Sequence, residues 1–194
     1  MKKQGTIYNI TLSAVMVALG TALSFVKVWE MPLGGSVTLL SMLPIVMVSC
    51  MLGVKWGLAS AFVYAAIQLF VDLGKVLSWG LTPAMLIGTL LFDYIIAFTV
   101  LGLAGLFVKK GYYGVLGGTA LAISLRFVSH FISGYVIFRN LEQFSIFGNV
   151  FTNKPFLYSV AYNGFYMLPE LVLTLIGTAI LFKNKKIHSI AFGE

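Results

Sequence analysis

Residues 82–108, TPAMLIGTLLFDYIIAFTVLGLAGLFV, decide how this chain is read. One charged residue, Asp93, stands among 27 positions. A helix needs about 20 largely apolar residues to cross the hydrocarbon core of a bilayer, and this run exceeds that. The rest of the chain repeats the pattern. Of its 194 residues 59% are hydrophobic and 10% charged, with a mean hydropathy of +0.97. Soluble domains carry about 25% charged residues, so the bilayer is the solvent for most of this one. The apolar runs are continuous, whereas the strands of a transmembrane barrel alternate apolar and polar residues. The reading is an all-α integral membrane protein of about six spans, forming one domain over 1–194.

Pro, Gly and Lys clusters punctuate the spans. The helices are expected at about 8–26, 37–52, 58–71, 82–108, 115–138 and 156–182. Between them fall the loop Trp29–Ser36, a tight turn Gly53–Gly57, loops at 72–80 and 109–114, and a longer segment at 139–155. A basic tail, Lys183 to Lys186, follows the last helix. With six spans both termini share a side. That side collects Lys2, Lys3, Lys55, Lys109, Lys110, Lys183, Lys185 and Lys186, against Lys27, Lys75, Arg139 and Lys154 on the other. The excess of positive charge puts both termini in the cytoplasm. The N-terminal apolar segment has no clear small-residue cleavage site and reads as a retained first helix of a multi-pass cell-membrane protein.

The net charge of +7 follows from this topology and not from nucleic-acid binding. The single cysteine, Cys50, allows neither an internal disulfide nor a zinc cluster. No P-loop, no H-E-x-x-H pair and no G-x-S-x-G elbow occurs, so nothing marks an ATPase, a zinc enzyme or a serine hydrolase. No cofactor or metal site is expected, and transport energy has to come from an ion gradient or another subunit.

Four residues that hydrocarbon excludes sit within the spans: Asp93, Arg126, His130 and Glu170. A central charge costs roughly 2.5–3.5 kcal/mol on insertion scales, so each needs a partner or a purpose. Arg126 and Glu170 fall at matched depth with opposite sign and read as an ion pair between the fifth and sixth helices. Asp93 has no basic partner on its own helix, and either takes up a proton or meets a cationic ligand. His130 lies one turn from Arg126 on the same helix face. Tyr158 and Asn163 share the outer half of the last helix. Trp29, Trp79, Phe144, Phe147 and Phe151 supply an interfacial belt or an aromatic box for a flat cation. On the first helix Ala14, Ala18 and Ala22 recur every four residues, a smooth stripe that admits a second helix from this chain or another.

Four segments resemble one family. They are Met31-Pro32-Leu33-Gly34-Gly35-Ser36-Val37-Thr38-Leu39 with Met42-Leu43-Pro44-Ile45; Phe92-Asp93-Tyr94 with Leu101-Gly102-Leu103-Ala104-Gly105; Arg126-Phe127-Val128-Ser129-His130; and Tyr158-Ser159 with Tyr162-Asn163-Gly164 and Tyr166-Met167-Leu168-Pro169-Glu170. In this order they resemble the thiamine-specific S-components of energy-coupling-factor (ECF) vitamin transporters. The resemblance implies a six-helix, non-enzymatic capture subunit that binds thiamine from outside. It also implies partners in the bilayer and cytosol: a transmembrane T-component and two ATPases. Asp93, His130, Tyr158 and Asn163 match the ligand-binding positions, with Tyr94 adjoining Asp93. Phe138 stands where some members carry a stacking tryptophan, so ring area is lost there. Ala14, Ala18 and Ala22 match the docking stripe. Two other readings remain open: the same architecture serving a thiamine precursor such as hydroxymethylpyrimidine, or a small intramembrane enzyme or channel.

Overall fold

The structure is a computed structural model, which describes residues 5–31, 34–138, 145–146, 149–150 and 154–192. The expectations placed on Arg139, Phe144, Phe147, Phe151, Lys2 and Lys3 lie outside the described residues or their described side chains.

The chain is a helical bundle closed at one end by a short hairpin. Helix α1 is Thr6–Ser24. Strands β1 (Lys27–Glu30) and β2 (Ser36–Thr38) then pair antiparallel. Helices α2 (Leu43–Leu52) and α3 (Val54–Leu77) are split by Gly53, whose φ of 93° is the left-handed turn that glycine accepts most readily. A continuous helical run over 83–110, here α4, leads through Gly111 (φ 71°) into α5, Gly111–Val136. A two-residue pairing of β3 (Ser145–Ile146) with β4 (Asn149–Val150) precedes α6, Pro155–Phe182, and α7, Lys185–Phe192.

By length and composition α1, α3, the 83–136 stretch and α6 can cross a membrane. That 54-residue stretch folds back at Gly111 and supplies two spans, α4 and α5. Helix α2 is different. Its ten residues rise about 15 Å, half a bilayer core, and nine of them are buried. It is apolar on every side because other helices surround it.

Several boundaries move from those expected. The second helix starts at Leu43, six residues beyond the expected 37, because 36–38 are taken by β2. Pro44 thus falls in the first turn, where a missing N–H costs nothing. One left-handed glycine makes the turn at 53, so α3 begins at Val54 and runs on to Leu77, and Asp72 and Lys75 are helical rather than in a loop. The expected basic tail is the amphipathic α7, whose Ile187, Ile190 and Phe192 pack on the core beside Phe182.

Helix α4 is irregular where it matters. Pro83–Thr89 is a regular helix capped by the Thr82 side chain. Leu90–Ile96 widens into π-type turns, and Asp93 stands at their centre. Below, Val100–Lys110 tightens into 3₁₀ geometry. There the Ser49 hydroxyl donates to the Gly102 carbonyl at 2.5 Å and accepts from the Gly105 N–H at 2.8 Å, which locks α2 against α4. Such close approach needs small residues: a Cβ on Gly105 would meet the Ser49 main chain.

Candidate ligand-binding site

A cavity of about 230 Å³ opens beneath the β1–β2 hairpin and penetrates between α3, α4, α5 and α6. Its volume falls just below the roughly 300–1,000 Å³ of drug-sized pockets, so it suits a small ligand. Every ligand-binding residue expected from the sequence lines it: Asp93 and Tyr94 from α4, His130 from α5, Phe138 just beyond α5, Tyr158 and Asn163 from α6. Ala14, Ala18 and Ala22 lie elsewhere, in an exposed groove between α1 and α3 bounded by Trp56, Val63 and Ile67.

The polar network centres on Asp93. Its Oδ1 lies 2.9 Å from His130 Nδ1, and its Oδ2 accepts from the Ser133 hydroxyl at 2.5 Å. Ser133 is three residues beyond His130, so one helix face delivers both. The Arg126 Nε–H donates to His130 Nε2 at 3.3 Å. With Nε2 accepting, the single proton of a neutral imidazole belongs on Nδ1, where it donates to Asp93. Asp93 is thus held by two uncharged donors, with its side chain 19% exposed. Across the cavity Tyr166 donates to Asn163 Oδ1 at 2.9 Å, and the Asn163 amide donates to the His130 carbonyl at 3.2 Å and the Ser159 carbonyl at 2.9 Å.

The expected ion pair between Arg126 and Glu170 does not form. Glu170, 2% exposed, accepts on Oε1 from both the N–H (2.6 Å) and the hydroxyl (2.7 Å) of Thr38. Arg126 packs its guanidinium 4.2 Å from the Phe98 ring centre and reaches Met42 Sδ and His130. Among the described residues no carboxylate lies within 4 Å of it. The hairpin supplies the partner instead: β2 places both Thr38 donors beside the carboxyl. Both residues line the cavity, whose described lining holds three acids (Asp72, Asp93, Glu170), two permanent cations (Lys27, Arg126) and His130.

Aromatic rings enclose the remaining wall. Trp79, only one of several belt residues in the sequence, lines the cavity and meets Phe138 edge-on at 6.2 Å. Tyr158, Tyr162 and Tyr166 climb one face of α6 at four-residue spacing, with ring centres 5.6 and 6.0 Å apart. Sequence reasoning named Trp79 only as one of five aromatics for a belt or a cation box, and gave Ser133, Tyr162 and Tyr166 no role. Ser133 and Tyr166 lie three residues beyond His130 and Asn163, and Tyr162 four beyond Tyr158, so helical periodicity was their signal. Trp79 follows α3, and nothing local set it apart from the other four aromatics.

At the mouth, Glu30 Oε1 bridges Lys27 (2.9 Å) and Lys75 (2.6 Å), tying β1 to the end of α3. The hydrogen bonds from Lys75 and then Lys27 hold this carboxyl below the usual range. The Gly35 N–H donates to the Tyr162 hydroxyl at 3.2 Å, fastening the hairpin to α6.

Fold and site together define a multi-pass membrane protein with a buried, acid-centred, aromatic-walled pocket for a small molecule. The profile of the thiamine transporter protein family (Thia_YuaJ) matches residues 10–189, and the chain belongs to that family. Thiamine transporter ThiT of Bacillus subtilis (strain 168) is 30% identical over 183 residues, covering 87% of each chain. A solved structure of ThiT from Listeria monocytogenes superposes with a TM-score of 0.71, covering 93% of this chain and 97% of that one at 20% identity. At that identity the likeness speaks to the fold. The homologues are transporters by name, in keeping with a non-enzymatic protein.

Proposed function

We propose that this chain is the thiamine-capturing S-component of an ECF-type vitamin transporter. It takes thiamine from the hairpin side and delivers it together with a T-component and two cytosolic ATPases. Thiamine is a flat permanent cation joined to an aminopyrimidine with its own donors and acceptors. The observation that carries this reading is Asp93: a carboxylate that, among the described residues, is held by neutral His130 and Ser133 and faces a cavity. A unit charge there interacts far more strongly than in water. The aromatic wall adds cation–π attraction; His130 orients Asp93, and Asn163 Oδ1, with a lone pair beyond the Tyr166 bond, offers an acceptor to the pyrimidine's amino group. The exposed alanine groove on α1 is assigned to the T-component.

Calorimetry on the purified chain tests this. Thiamine should bind without turnover, with its phosphates and the isolated hydroxymethylpyrimidine competing more weakly. Stronger binding of the neutral pyrimidine would move the assignment to a precursor. Chemical conversion of thiamine would return the intramembrane enzyme.

A further inference from the structure

Arg126 is the unexplained group of the pocket. Its charge sits within the bundle without a carboxylate within 4 Å among the described residues, and one of its donors is spent on the neutral nitrogen of His130. We propose that Arg126 is a positioning residue: by donating Nε–H to His130 Nε2 it keeps the imidazole neutral, with its one proton on Nδ1, so that Asp93 meets a cationic ligand with no positive charge bonded directly to it. This rests on the assignment of a cationic ligand to the pocket.

The chemistry is one of occupied lone pairs. Imidazole gains its second proton only on the nitrogen that lacks one. Here that nitrogen points at a guanidinium, which never gives up its charge. An imidazolium at His130 would sit 2.9 Å from Asp93 and form a closed ion pair with it. The ligand would then meet a zwitterion of zero net charge. Without Arg126 the Nε2 lone pair is free to take a proton, and the carboxylate 2.9 Å from Nδ1 favours the charged ring. The other titratable groups lining the cavity are Asp93 and Tyr94 from α4, and Tyr158, Tyr162, Tyr166 and Glu170 from α6. Asp72 and Tyr64 come from α3 and Lys27 from β1. Among the described residues only Arg126 bonds His130 Nε2.

The test uses the full chain in nanodiscs with ¹⁵N-labelled histidine. His188, the other histidine, lies on α7 and is removed as His188→Gln. The expected wild-type spectrum shows Nδ1 protonated and Nε2 bare between about pH 8 and pH 5.5. In Arg126→Met both nitrogens should carry protons at the acid end. There thiamine should bind more weakly at pH 5.5 than at pH 8, by up to about tenfold, the factor by which an imidazole of ordinary pKa depletes its neutral form. Wild-type affinity should change less than about twofold. A protonated Nε2 in the wild type overturns the proposal, as does an Arg126→Met protein whose thiamine affinity is as flat with pH as the parent's. If that variant fails to fold, the wild-type spectrum decides alone. A chain with the expected spectrum that ignores thiamine would sink the functional reading and leave the Arg126–His130 relay standing.

Discussion

The Glu170 carboxyl on α6 receives both the backbone N–H and the hydroxyl of Thr38, 132 residues earlier in the chain. A buried acid thus anchors the hairpin strand β2 where the sequence suggested a partner for arginine. Glu170→Ala leaves the Thr38 N–H unpaired, at about 1–3 kcal/mol, while the Thr38 hydroxyl can turn to Ser41 at 2.6 Å. Stability in detergent should fall accordingly, by about 1–3 kcal/mol. Glu170→Gln keeps an acceptor on Oε1 and should lose less. Equal losses in the two would mean the Thr38 bonds contribute little.

Asp93→Asn preserves the side-chain shape and removes the charge. Charge-assisted bonds are worth about 1.5–3 kcal/mol, so thiamine affinity should fall about 10- to 100-fold. Unchanged affinity by calorimetry would show that the ligand's charge lies elsewhere.

Trp79 stands in the cavity wall against Phe138, while Trp56 lies in the α1–α3 groove and Trp29 is on exposed β1. Thiamine should therefore quench tryptophan fluorescence through Trp79. Trp79→Phe should abolish most of the quench and weaken binding by about 0.5–2 kcal/mol. A quench that survives intact would place the ligand away from this wall.

Ala14 and Ala18 are exposed on α1, away from the cavity. Ala14→Trp or Ala18→Trp should abolish cellular thiamine uptake while the purified chain binds as before. Loss of binding by the isolated chain would instead make the stripe part of its own packing.

The Glu30 bridge at the mouth should respond to acid and salt. Its carboxyl is held below the ordinary value by Lys75 and Lys27. The bridge therefore contributes fully above the ordinary carboxylate range near pH 4.3, and is lost as pH falls through the lowered folded value. From pH 6 to 8 it should be constant. Because the site is open to solvent, Glu30→Gln should speed amide exchange of 27–30 and 36–38 only about two- to fivefold. High salt should mimic the substitution. No change in exchange would mean that the Gly35–Tyr162 and Thr38–Glu170 bonds hold the hairpin unaided.

Legibility in the sequence followed periodicity and hydropathy. Long uniform runs such as 82–108 gave their helices nearly to the residue, because lipid leaves the backbone no other way to satisfy itself. Asp93, His130, Tyr158 and Asn163 stood out because polar groups are rare there, and they converge on one cavity. What escaped notice was set by contacts distant in sequence. The hairpin over 27–38 interrupts an apolar stretch through pairing that leaves little local mark. Asp72 and Lys75 resembled loop residues because their charges sit at the wet end of α3. Arg126 and Glu170 matched in depth and sign, yet depth says nothing of azimuth, and Glu170 bonds Thr38 instead.

The widened turns at Leu90–Ile96 divide α4 into two independently aimed pieces. Each residue of a regular helix advances its face by about 100°. A single insertion or deletion at that spot would therefore swivel the upper piece against the vitamin while Gly102 and Gly105 below stayed clasped to Ser49. Retuning what the protein recognises and keeping it assembled are tasks that its architecture has uncoupled.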